Sequence, residues 1–161
     1  MTAPDRQRGR VYAWEDRVIA PRDTSTLPFA AAQGMVDAIW AEQGLRFPPR
    51  VEPLPRQARR SLGDATRLSI RLPERFASWL LLHELAHAMS STHDGDSDGH
   101  GPIFMGLYLE LITRYLRLPA DALLASLEAS GIAVAPGARA VFLDGGPDRT
   151  AIASARPLRP G

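Results

Sequence analysis

A chain of 161 residues with a hydrophobic content of 45% can bury one sizeable core, so one domain is expected and two have no support. It has no cysteine, which excludes disulfides and zinc ribbons. All 19 basic residues are arginine, set against 18 acidic ones, and the net charge of +1 gives no general electrostatic case for nucleic acid. No run approaches the roughly 18 to 20 apolar residues of a membrane span, and the opening MTAPDRQRGR has no apolar signal core, so a soluble, cytoplasmic protein is expected.

Residues 1–9 are polar and without periodicity, and are expected as a disordered tail ahead of a domain over 10–144. Arg10 to Ile19, with Val11, Tyr12, Trp14, Val18 and Ile19, has the composition of a strand. A helix is predicted from a Thr26 cap, with Pro28 in its first turn and Phe29, Ala32, Val36, Ile39, Trp40 and Gln43 on one face. Pro48 to Pro55 is proline-rich, with Val51 to Leu54 a short edge strand at most, and Arg56 to Arg60 reads as a solvated basic loop. From Ala65 to Leu72 the pattern alternates, with Leu68, Ile70 and Leu72 on the buried side of a strand.

After Pro73 a helix is predicted to begin near Glu74 and to carry FASWLLLHELAHAM, in which His83, Glu84 and His87 spell HExxH. Four residues apart on a helix, His83 and His87 stand one above the other and can offer imidazole nitrogens to one ion. Glu84 is placed beside that ion, as a general base toward its bound water. Zinc suits such donors and acidifies water, so the implied reaction is hydrolysis. The surrounding leucines and alanines make the helix apolar nearly all round, where unpartnered imidazoles and a carboxylate are costly unless something binds them.

The loop SSTHDGDSDGHG follows, then helices from Pro102 to about Arg117 and from near Pro119 to Ser130, a short strand somewhere within Val134 to Leu143, and a flexible tail over 145–161. Tyr108 and Tyr115 fall on the buried side of the first of these helices and read as core. Three residues compete to be the third ligand: His93 at metzincin spacing but without the glycine of that pattern, Glu110 on the next helix, and His100 at a helix start. Asp94, Asp96, Asp98 and Gly99 match half of a calcium loop, but the twelfth position is Met105 rather than glutamate.

HELAHAM followed by GHGPIF resembles the HExxH and HGPxF pair of SprT-like zinc metallopeptidases, and the chain is similar to small bacterial and phage metallohydrolases of that kind without a zinc ribbon. The likeness is specific from about Trp79 to Tyr108. It implies an α+β, minimal zincin-like fold, with a small sheet packed on an active-site helix and further helices after it. It also implies His83, His87 and His100 as zinc ligands and Glu84 as catalytic base. A peptide or protein substrate would follow, bound extended along a sheet edge, with no membrane partner. The rivals are a metal-dependent hydrolase of another substrate such as RNA, against which Glu84 argues, and a non-catalytic metal-stabilised binding domain.

Overall fold

The computed structural model describes residues 4–55 and 62–144; the Arg56 to Arg60 cluster and the 145–161 tail lie outside them. The architecture is mixed α+β. Helix α1, Arg8–Trp14, runs on through a π-helical turn, Glu15–Ile19, and a 3₁₀ turn, Ala20–Arg22. This replaces the strand expected over Arg10 to Ile19. Val11, Trp14, Glu15 and Ile19 are buried while Tyr12, Ala13, Asp16 and Arg17 are exposed, a helical period that overrides the β-branched and aromatic composition. Over residues 4–9 the expected tail is also corrected: Gln7 is buried, its Nε2 donating to the backbone carbonyls of His100 (2.9 Å) and Ala133 (3.2 Å). Long-range hydrogen bonds, invisible to periodicity, order this polar stretch.

Strand β1, Leu27–Pro28, pairs antiparallel with β5, Arg75–Phe76. Helix α2 therefore starts at Ala32, after a 3₁₀ turn over Phe29–Ala31, and not at Thr26. Pro28 is extended, and the Phe29 N–H is taken by the Glu74 carbonyl at 2.8 Å. In the second sheet β2, Arg50–Pro53, runs parallel to β4, Ser69–Leu72, and β3, Asp64–Ala65, runs antiparallel to β4 on its other side. The single strand expected over Ala65 to Leu72 is broken at Thr66, whose hydroxyl accepts the N–H groups of Leu68 (3.2 Å) and Ser69 (3.1 Å). Leu68 is thus 59% exposed while Ile70 and Leu72 are fully buried. Arg67 turns inward, its guanidinium 4.8 Å from the Trp40 ring centre and 4.4 Å from that of Phe142.

Helix α3, Ser78–Met89, begins after β5 rather than at Glu74, and the loop after the 3₁₀ turn caps it. Ser25 Oγ accepts the Ser78 N–H at 2.8 Å and Asp23 Oδ2 that of Trp79 at 2.7 Å. The helix is buried along Leu80, Leu81, Leu82, Leu85, Ala86, Ala88 and Met89 and packs on α4, Pro102–Tyr115. Helix α5, Ala120–Ala129, follows, and α6, Val141–Asp144, stands where a strand was expected. Residues 134–138 form a loop instead, seated on α4 at Gly106 and anchored by the Ala135 N–H on the Pro102 carbonyl at 2.9 Å. Among the described residues no helix is long and apolar enough to cross a membrane.

Candidate metal centre

Helix α3 presents His83 and His87 one turn apart, and the loop before α4 brings His100 to them. Their Nε2 atoms form a near-equilateral triangle: 3.1 Å from His87 to His83, 3.2 Å from His87 to His100 and 3.3 Å from His100 to His83. Three nitrogens bound to one ion at about 2.0 to 2.1 Å and tetrahedral angles would stand roughly 3.3 Å apart. These three residues can therefore hold a metal ion. Burial pushes the His83 imidazole down to about 3 and His87 well below its ordinary value, with the neighbouring imidazoles adding to the effect. Neutral rings leave their lone pairs free for a cation.

The far side of the triangle is held from the N-terminal segment. His83 Nδ1 is 2.6 Å from Glu15 Oε2, the oxygen that also accepts the Tyr108 hydroxyl at 2.7 Å. His100 Nδ1 is 2.7 Å from Asp5 Oδ2. His87 stacks on Phe104 with ring centres 4.2 Å apart, and Tyr12 stands edge-on to His100 at 5.0 Å. Glu15 is 2% exposed, and desolvation pushes its carboxyl up to about 8 in spite of the Tyr108 hydrogen bond. Asp5, Gln7, Tyr12 and Glu15 were not found by sequence reasoning. Helical spacing of Val11, Trp14, Glu15 and Ile19 was the available signal for a buried carboxylate; Asp5 offered none.

Glu84 is buried on α3, and its carboxyl is raised well above the ordinary range, first by burial and then by the nearby Asp64 and Glu15. It lines, with His83, a cleft of about 400 Å³ whose walls include Arg8, Tyr12, Leu62, Gly63 and Trp79. Gly63 leaves room for this carboxyl: a Cβ there would stand 2.8 Å from Glu84 Oε2 and 3.0 Å from the Arg71 carbonyl. Gly63 precedes β3, an edge strand of the three-stranded sheet. Glu84 thus borders a space that a ligand can enter beside His83.

The other candidates stand apart. His93 and Glu110 are exposed, His93 on the rim of a separate cleft with Thr66 and Arg67. Asp98 caps α4, its carboxylate oxygens accepting the N–H groups of Ile103 (2.7 Å) and Phe104 (3.2 Å), so the aspartate-rich loop starts a helix and presents His100. Tyr108 is core, as expected, but its hydroxyl also serves the site; Tyr115 donates instead to Glu42 Oε1, at 3.3 Å. The chain matches no family model, no curated protein and no solved structure.

Proposed function

We propose that the chain is a zincin-like, zinc-dependent hydrolase that cleaves peptide bonds in a peptide or protein. The observation that carries this reading is the meeting of three imidazole Nε2 atoms within 3.3 Å of one another, beside a buried Glu84 that directly follows the first of them on α3. The donor set fits zinc, which His83, His87 and His100 would hold. Bound zinc supplies Lewis acidity, which makes water a stronger acid and a carbonyl a better electrophile. Glu84 takes a proton from the attacking water and hands it to the leaving amine. Burial raises the proton affinity of this carboxyl, which favours it as the group that takes up a proton. Trp79, Leu62 and Leu80 give the cleft apolar walls and Arg8 a cationic one, and an extended peptide can lie along β3 by strand addition.

Metal analysis of the purified protein, joined to a peptide-library digest by wild type and Glu84→Gln, tests this. Zinc near one equivalent, with cleavage by wild type alone, is expected; equal cleavage by both would remove Glu84 from the chemistry. A metal-stabilised binding domain is the second reading, favoured by the bonds that tie Asp5 and Gln7 to His100. Chelation would then unfold the chain rather than only silence it.

A further inference from the structure

We propose that the N-terminal segment is part of the metal centre, with Asp5 and Glu15 as positioning residues that set the tautomers of His100 and His83. The inference rests on the same three histidines holding a metal. A neutral imidazole protonates one nitrogen and leaves the other as acceptor, so a ligand whose Nε2 must face an ion needs its proton on Nδ1. In water the Nε2–H form is the commoner one, so something must reverse the preference. Glu15 Oε2 accepts the Tyr108 hydroxyl at 2.7 Å and lies 2.6 Å from His83 Nδ1; in its ionised form it can only accept there, so that nitrogen then carries the proton. Asp5 Oδ2 stands 2.7 Å from His100 Nδ1, where an ionised carboxylate can likewise only accept. Both carboxylates come from 4–22, a segment 68 to 95 residues distant in sequence from the imidazoles they meet.

Other bonds fix this geometry. Gln7 Nε2 holds the His100 carbonyl at 2.9 Å, and its Oε1 accepts the Ala133 N–H at 2.6 Å. The segment thus grips the loop carrying the third histidine by both backbone and ring. Carboxylates behind ligating histidines orient the ring and raise its basicity, and their loss commonly weakens metal binding about 10- to 100-fold. His87 has a different support, the face of Phe104, with ring centres 4.2 Å apart.

The test is zinc competition against a chelator for wild type, Asp5→Asn, Glu15→Gln and Arg10→Ala. It is paired with imidazole nitrogen spectra of the zinc-free proteins in alkaline buffer. Asp5→Asn and Glu15→Gln should each lose about 10- to 100-fold in zinc affinity. The spectra should show Nδ1–H at His83 and His100 in wild type, moving toward Nε2–H at the ring whose carboxylate is gone. Arg10→Ala removes an exposed tie to the Gly131 carbonyl without touching a ring, and should match wild type in both. Unchanged affinity, unchanged tautomers, or an equal loss in Arg10→Ala would overturn the proposal. Asp5→Asn keeps size and shape at a partly exposed site, so a fold defect in Glu15→Gln leaves the test intact. A wild type that holds no zinc would instead overturn the metal reading, and the metal-free spectra would still decide what sets the tautomers.

Discussion

At the residue scale the proposed hydrolysis rests on one carboxyl. Glu84→Gln keeps the shape of the side chain and removes its proton affinity, so hydrolysis should fall by about 10²- to 10⁴-fold while bound zinc is retained. Parallel metal analysis and a peptide digest would check both halves of that statement. His83, Glu84 and His87 were legible because they repeat at helical spacing inside one apolar run. His100 was one of three candidates by spacing, singled out by the HGPxF resemblance, and the fold brings its Nε2 within 3.3 Å of the other two while His93 and Glu110 are exposed. Asp5 and Glu15 could not be read in this way, because nothing local ties a carboxylate to a ring 95 or 68 residues away. Arg67 shows the same limit: strand alternation with Leu68, Ile70 and Leu72 inward would turn it outward, yet it is 3% exposed and lies between Trp40 and Phe142.

Among the elements, α3 and α4 were visible in outline, since both carry long apolar faces with a proline or a strand to bound them. Helix α1 was not, because its β-branched and aromatic composition, which favours a strand locally, outweighed the helical spacing of Val11, Trp14 and Ile19 that the structure buries. The junction of α4 with the loop over 134–138 depends on an absent side chain. A Cβ at Gly106 would collide with the Ala135 carbonyl and stand 2.7 Å from Ala138 Cβ. Glycine to alanine within a helix ordinarily gains about 1 kcal/mol, yet here overpacking against backbone should cost about 1 to 3 kcal/mol. Urea denaturation of Gly106→Ala would show a lower midpoint at unchanged slope. Gly63→Ala, next to β3, should act on function first: the added methyl presses on Glu84 Oε2 and should lower turnover more than stability, as assay and melting of one preparation would reveal.

For the molecule as a whole, the buried titratable groups make stability without metal depend on pH from two directions. His83, held down to about 3, is neutral in the folded chain; its contribution is full above its ordinary 6.5 and is lost as pH falls toward 3. Glu15, raised to about 8, contributes fully below its ordinary 4.5 and loses that contribution as pH rises through 8. His87 and Glu84 add to the acid and alkaline sides respectively. Between 4.5 and 6.5 the two trends oppose each other, so denaturation of the zinc-free protein should be flattest there. Outside that window stability should fall by on the order of 1 kcal/mol per pH unit for each group. Zinc at about 100 times its dissociation constant should add roughly 2.7 kcal/mol, and a chelator should take it away. Trp14 offers a way to follow such loading. It is fully buried, bonded to Ser126 Oγ at 2.8 Å, and stands edge-on to Tyr108 with ring centres 6.3 Å apart. Tyr108 in turn shares a Glu15 oxygen with His83. A coloured ion such as cobalt, seated among the imidazoles, would drain indole emission by energy transfer, so fluorescence alone can count filled sites without an activity assay.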